Sequence, residues 1–156
     1  MAYYFMKNTA KSVRKMFPKI ILNDLRKFPF KEISENEQTP FVQKTDNILS
    51  FYKNLINSSN KFKRTLKRKF ESLEKLSKKL ENWHELTFMD FVKELKKRKI
   101  KLSLTEEAEW EDYFLVEQQK AIEIKAQITK LDKEIDVMVY ELYGLTDEEI
   151  AIIEND

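Results

Sequence analysis

The sequence predicts a mostly α fold built on a long antiparallel, coiled-coil-like helical hairpin with short helices. Only one Gly and three Pro occur in 156 residues, whereas 42% of the residues are hydrophobic and 36% are charged. This composition is typical of long helices and excludes an all-β fold. Two segments also repeat apolar residues in alternating steps of three and four, which is the spacing of a coiled-coil seam.

Residues 1–33 are predicted to form a small, irregular α/β segment. A short helix is expected from Ala2 to about Met16, followed by a turn into an extended piece from Phe17 to Leu22. So short and aromatic-rich a stretch cannot bury its own apolar side chains. We therefore expect more of its fold to lie upstream, and we place a domain boundary after residue 33.

A first long helix is predicted to begin between Ser34 and Phe41, because Ser34 and Glu37 fit a capping box and Pro40 suits a first helical position. Its seam is expected to continue to Trp83, roughly 60 Å at about 1.5 Å per residue. Residues 57–60 are a predicted soft spot, since their helix propensity is poor. The seam positions are Phe41, Thr45, Ile48, Tyr52, Leu55, Ser59, Phe62, Leu66, Lys69, Leu73, Leu76, Leu80 and Trp83.

Residues 34–156 are predicted to complete the hairpin or bundle. A short amphipathic helix should begin at Thr87, and a second long helix should begin near Thr105. The connector of about twenty residues is too short for a parallel arrangement of the long helices, so they should fold back on each other. Gly144 is expected to end the second long helix, and Thr146 to cap a last short one.

Charge is distributed unevenly along the chain, although the net charge is only +2. Nine Lys or Arg residues face two Glu residues between Lys61 and Lys79, whereas acidic residues dominate after Thr105. Opposite signs on neighbouring helices favour antiparallel pairing, and a basic surplus can face a polyanion such as DNA.

Several kinds of site are excluded or disfavoured. The chain has no Cys, which rules out thiolate sites and suits a cytoplasmic protein. A single Gly cannot build a phosphate-binding loop, and the single histidine, His84, cannot form a zinc site alone. Asp90, Glu94 and Lys96 have a loose nuclease-like spacing but fit a solvated helix face better. We expect no catalytic residue, metal, cofactor or membrane span in this chain.

Candidate DNA-binding residues fall into two basic groups. In the first, Lys61, Arg64 and Arg68 share a helix face while Lys63, Lys67 and Lys69 spread around it. Such a stripe can follow phosphates, or it can pair with the acidic helix or be merely solvated. The second group is interleaved with aromatic residues and consists of Lys11, Arg14, Lys15, Lys19, Arg26, Lys27 and Lys31.

Two segments resemble a known family. Residues 17–30, which read FPKIILNDLRKFPF, with Ile33–Ser34 and the EQTPF of residues 37–41 are similar to the end of the TaqI-like specificity region. That region occurs in adenine-specific DNA methyltransferases and in fused type IIG restriction-modification enzymes. Residues 135–150, which read IDVMVYELYGLTDEEI, resemble the usual C-terminus of these enzymes.

The resemblance implies a parent enzyme that methylates adenine in DNA, with or without a nuclease activity. Residues 1–33 would be the end of its target-recognition domain, and the resemblance places the S-adenosylmethionine site and the Asn-Pro-Pro-Tyr loop upstream of that. Neither motif occurs in these residues. The chain is then expected to bind duplex DNA, to support specificity and to contact the methyltransferase core. The alternative is a structural coiled-coil or dimerisation scaffold without DNA contact, in which the helices form a homodimer.

Overall fold

The computed structural model describes residues 26–73 and 75–155. Within them it contains five α-helices and no strand, which confirms the mostly α class with a long helical hairpin. The expected α/β elements before residue 26 lie outside the described residues, and residues 26–33 contain neither helix nor strand. The helices are α1 (Glu35–Lys69), α2 (Lys78–Glu81), α3 (Phe88–Lys97), α4 (Leu104–Tyr143) and α5 (Asp147–Glu154), and a 3-10 turn (Trp83–Glu85) precedes α3.

The chain divides into two compact units: residues up to 40 together with those from 134 onward, and residues 41–133. In the first unit, the Tyr143 hydroxyl donates a hydrogen bond of 2.6 Å to the carbonyl of Pro29, and Lys31 donates one to the carbonyl of Leu142. Gly144 ends α4 with a φ of 65°, the left-handed conformation predicted for it. Thr146 then forms the predicted capping box with Glu149 at the start of α5.

The second unit is organised by aromatic packing between antiparallel helices. Lys69, at the end of α1, pairs with Glu106, near the start of α4, at 3.6 Å. The rings of Phe62 and Phe114 meet at 6.0 Å, so positions earlier in α1 meet positions later in α4. The fully buried side chains of this core are Trp83, Phe62, Phe91, Phe114, Leu66, Leu73, Leu80 and Leu95.

The predicted continuous seam to Trp83 is wrong. Helix α1 ends at Lys69, and the chain reverses before α2. The indole nitrogen of Trp83 donates to the Ser59 hydroxyl at 3.2 Å, and the Trp83 ring stacks on Phe62 with centroids 3.7 Å apart. A straight helix would separate Trp83 from Ser59 by about 36 Å. The chain reverses because Trp83 packs against Phe62 and Ser59 of α1. In a continuous helix its ring could not reach either residue.

Local helix signals are mostly where the sequence placed them. Ser34 and Glu37 exchange the hydrogen bonds of a capping box at the start of α1, and Thr87 caps α3. The predicted start at Thr105 is corrected to Ser103, which forms the reciprocal bonds with Glu106. Helix α1 runs without a break through residues 57–60, the predicted soft spot, and α4 is continuous from Leu104 to Tyr143. None of the described helices has the length and apolar character that a membrane crossing requires.

Candidate nucleic-acid interface

The C-terminal half of α1 carries a concentrated positive charge. No Asp or Glu occurs between Asp46 and Glu71, so no carboxylate neutralises this part of the helix from within. Six cations lie in its last three turns: Lys61, Lys63, Arg64, Lys67, Arg68 and Lys69. These are the residues of the first basic group, and the structure brings all of them onto one continuous helix.

Two of these six cations are neutralised inside the unit. Lys63 forms an ion pair of 2.9 Å with Glu81 of α2, and Lys69 forms the longer pair with Glu106 of α4. The sequence also allowed these cations to pair with the acidic long helix, and within the group Lys69 does so. The remaining four are exposed and form no ion pair with a described residue: Lys61, Arg64, Lys67 and Arg68.

A groove of about 520 Å³ lies beside these cations. Its lining includes Lys63, Arg64 and Lys67 from α1, together with Leu76 and Glu81 from the segment after the reversal. Two asparagines complete the lining from the α1 side, Asn57 and Asn60. Lys63 is paired with Glu81, whereas Arg64 and Lys67 have no acidic partner among the described residues. Two unpaired cations and two amides in one groove favour an anionic ligand with oxygen acceptors, since all four side chains carry N–H donors.

The aromatic core fixes this groove. Phe62 is fully buried on α1. Its ring stacks on that of Trp83, with centroids 3.7 Å apart, and on that of Tyr113 of α4, with centroids 5.5 Å apart. Because Phe62 lies next to Lys63 in sequence, burying its ring sets the direction in which the cation points. The Trp83–Ser59 hydrogen bond holds the returning chain, and with it Glu81, against the same helix.

The second basic group is only partly described. Lys11, Arg14, Lys15 and Lys19 lie outside the described residues. Arg26 and Lys27 are exposed and form no ion pair with a described residue. Lys31 is also exposed and binds the carbonyl of Leu142. The structure therefore brings the first group together and leaves the arrangement of the second group as a prediction.

The residues with nuclease-like spacing do not all lie on the solvated helix face that the sequence predicts, because Glu94 is only 7% exposed. Asp90 bonds to Lys93 at 2.9 Å, and the largely buried Glu94 binds Lys97 at 2.7 Å and Ser77 at 2.8 Å. The bonds from Lys97 and then Ser77 lower the pKa of Glu94 below its usual value. Among the described residues, no three His, Asp or Glu side chains converge on a possible metal position.

His84 lies next to Trp83 in the 3-10 turn, with its side chain 12% exposed. Its Nδ1 atom is buried and has no hydrogen-bond partner among the described residues. Burial, followed by the nearby charge of Lys125, lowers the pKa of the imidazole. The ring contacts Trp83 edge-to-face at 5.9 Å, and the backbone carbonyl of His84 accepts a hydrogen bond from Gln118. These contacts are structural ones within the aromatic core.

Sequence reasoning missed the two asparagines of the groove. Residues 57–60 were interpreted as a soft spot, yet α1 runs through them without a break. Asn57 and Asn60 are exposed, while Ser58 and Ser59 between them are half-buried. The available signal was the absence of acidic residues on both sides of these polar side chains, which marked the segment as a continuation of the basic face.

These features define a helical-hairpin module with an exposed basic face on one long helix. The profile of a protein family described as a domain of unknown function, DUF8810, matches residues 34–139. The match covers more than half of the chain, and the chain belongs to this family. The matched range begins at the serine that caps α1 and ends near the end of α4, so it corresponds to the hairpin. No curated protein and no solved structure matches the sequence.

Proposed function

We propose that this chain binds duplex DNA through phosphate contacts and braces the specificity region of a restriction-modification adenine-N6 DNA methyltransferase, without a catalytic site of its own. The observation that carries the proposal is the set of four exposed cations on α1, namely Lys61, Arg64, Lys67 and Arg68. We call this set the cation cluster. Phosphate contacts of this kind position a protein on DNA without reading its sequence.

The spacing of the cation cluster favours binding of an anionic ligand. Lys61 and Arg64 are three residues apart, as are Arg64 and Lys67, while Arg64 and Arg68 are four apart, so these pairs repel one another on adjacent turns. Like-charge pairs of this type destabilise a helix by roughly 0.2–0.5 kcal/mol each. A polyanion removes that repulsion and releases its own counterions on binding.

The enzymatic context of the proposal rests on the family resemblance of residues 17–41 and 135–150. In this view the S-adenosylmethionine site and the adenine-methylating loop belong to an upstream core that the hairpin contacts in the cytoplasm. The second basic group, of which the structure describes Arg26, Lys27 and Lys31, would supply phosphate contacts of its own. This chain would supply support and DNA affinity, and the core would supply the chemistry.

The test is the salt dependence of binding to a random-sequence DNA duplex, followed by fluorescence anisotropy. Replacing the four members of the cation cluster by Ala should weaken binding and reduce the slope of log K against log salt by up to about one unit per lost contact. Helix propensity favours Ala at all four positions, so α1 should be retained. Circular dichroism checks that it is.

A matched control removes the same charge elsewhere. Lys96, Lys101, Lys130 and Lys133 are exposed and form no ion pair with a described residue. Their replacement by Ala should leave the slope near the wild-type value apart from a small long-range effect. If both variants lost affinity and slope equally, net charge alone would explain the result. That outcome would contradict a specific role for the cation cluster.

A second candidate is a structural or dimerisation scaffold without DNA contact. It is favoured by an exposed apolar stripe on α1, in which Leu49 is 61%, Tyr52 48% and Ile56 56% exposed. Their steps of three and four align them on one helix face, as in a helix-to-helix contact. Replacing Leu49 and Ile56 by Lys should convert a dimer to a monomer in light scattering if this candidate is correct. A monomeric wild type would contradict it.

A further inference from the structure

A second stripe on α1 continues the basic face toward the N-terminus with uncharged polar side chains. Its members follow steps of four and three, so they share one side of the helix. They are Gln43, Asn47, Ser50, Asn54, Asn57, Lys61, Arg64 and Arg68, and all eight are exposed. We call this set the polar stripe; its first five members are amides or a hydroxyl, and its last three are cations.

The polar stripe has no structural role among the described residues. None of the eight side chains forms a hydrogen bond or an ion pair with any described residue. Every member is exposed, although Asn57 and Arg64 border the groove that Leu76 and Glu81 also line. Phe62 and Leu66 on the core face of the same helix are by contrast fully buried. Asn and Ser are poor helix formers compared with Lys, Glu or Ala, so helix stability does not explain their repetition on this face.

The chemistry of the stripe fits the major groove of duplex DNA. An α-helix is about 10–12 Å across, and the groove is about 12 Å wide and admits one. An Asn or Gln amide can donate to N7 and accept from N6 of adenine, or make the equivalent contacts with other bases, whereas Lys and Arg bind phosphates. The polar stripe places amides along one part of a helix and cations along the next.

We propose that α1 is a recognition helix, in which Asn54 and Asn57 read base edges in the major groove while Lys61, Arg64 and Arg68 hold the adjacent phosphates. This rests on the proposed DNA binding and adds sequence selectivity to it. The chain itself then contributes to target choice, beyond bracing a specificity region that lies upstream. Adenine-containing steps are the expected preference, since an Asn amide pairs with both the N6 and N7 positions of that base.

The test is selection of bound sequences from a randomised DNA duplex library, carried out with the full chain. The wild type should enrich a short motif. Replacing Asn54 and Asn57 together by Ala should reduce the preference for that motif over random sequence by about tenfold or more per lost amide. The salt slope for random-sequence duplex should stay unchanged, because no cation is removed, and affinity for that duplex should fall far less than in the cation cluster variant. Ala also favours the helix, so a loss cannot be attributed to unfolding.

The control and the contrary outcomes separate this inference from the proposed function. Gln127→Ala removes an exposed amide from α4 and should keep the full preference. Salt-dependent binding with no enriched motif, or a motif that survives the double substitution, would overturn base reading while leaving phosphate binding intact. Equal affinity for an A-form RNA duplex would also overturn it, because that major groove is too deep and narrow for a helix. Absence of binding at any salt would overturn both proposals.

Discussion

The core face and the polar stripe of α1 lie on the same helix and have opposite roles. On the core face, Phe62 and Leu66 are fully buried and contact residues from the rest of the second unit. On the polar stripe, Asn57 and Arg64 are exposed and form no hydrogen bond or ion pair with a described residue. One helix therefore holds the unit together with one side and presents donors to solvent with the other.

This difference separates stability from binding. Substitutions on the core face should lower the free energy of unfolding and affect any ligand only indirectly. Substitutions on the polar stripe should affect a ligand and leave the fold intact. Each variant below strengthens this contrast or contradicts it, and stability is measured by urea or thermal unfolding of the same preparations.

The largest effect is expected for Trp83→Ala. Trp83 is fully buried, and its ring stacks on Phe62 and its indole nitrogen binds Ser59, so its removal leaves a cavity next to an unpaired hydroxyl. The free energy of unfolding should fall by about 3–5 kcal/mol in urea. Tyr52→Ala removes an exposed aromatic ring from α1; it is the control and should cost far less. Similar losses in both would mean that the aromatic core does not hold the reversal.

A smaller loss is expected for Ser59→Ala. The substitution removes the acceptor of the Trp83 N–H and leaves a buried donor unsatisfied, which costs about 1–3 kcal/mol. Ser50→Ala makes the same chemical change on the polar stripe, where it should be neutral or slightly stabilising. Thermal unfolding of the two variants measures the difference in stability. If the Ser50 variant were as unstable as the Ser59 variant, the core face and the polar stripe would not differ in their contribution to stability.

Acid should weaken the contact between α2 and α3 through Glu94. Bonds from Lys97 and Ser77 lower the pKa of its carboxyl from 4.5. The unfolded chain thus takes up the proton first as pH falls, so the stabilisation is fully present above about pH 4.5 and is lost as pH falls through the lowered pKa. Glu94→Gln should reduce stability at neutral pH by under about 1 kcal/mol, since Lys97 is mostly exposed.

The pH dependence provides the control for that variant. Wild type and Glu94→Gln should approach each other in urea midpoint as pH falls from 4.5 through the lowered pKa of Glu94, because the wild-type carboxyl becomes protonated over that range. A difference that stays constant from neutral to acidic pH would show that the ion pair contributes nothing and that only the shape of the side chain matters.

The double substitution of Asn54 and Asn57 by Ala is expected to change stability in the opposite direction. Both side chains are exposed, and Ala is the better helix former by up to about 0.7 kcal/mol at each position. The melting temperature should therefore rise slightly. A fall would indicate that these amides stabilise the helix after all, and it would remove the argument that they are retained for a ligand.

The parts of the fold that depend on neighbouring residues were predictable from sequence. The capping pairs at Ser34 and Thr146 and the left-handed Gly144 each require only residues within one or two turns, and the structure has all three. The chain reversal after Lys69 was not predictable in this way. Its apolar spacing continues as if the helix did, and the reversal depends on Trp83 packing against a ring 21 residues earlier, Phe62.

The same reasoning applies to the candidate site. Spacing on one helix was enough to group Lys61, Arg64 and Arg68 on a single face. The groove beside them was not foreseeable, because Leu76 and Glu81 reach it only through the reversal. The polar stripe was accessible in principle, since its steps of three and four are visible in the sequence. Its Asn and Ser residues are poor helix formers, so by propensity alone they predict a weak point in the helix and not a binding face.

The most direct test of the central claim is the binding of the wild-type chain to a random-sequence DNA duplex, measured by fluorescence anisotropy from low to physiological salt. Phosphate contacts by the cation cluster predict binding at low salt and a linear fall of log K against log salt, with a slope of several units. No binding even at the lowest salt would contradict the claim and would leave the exposed face of α1 as a solvated surface.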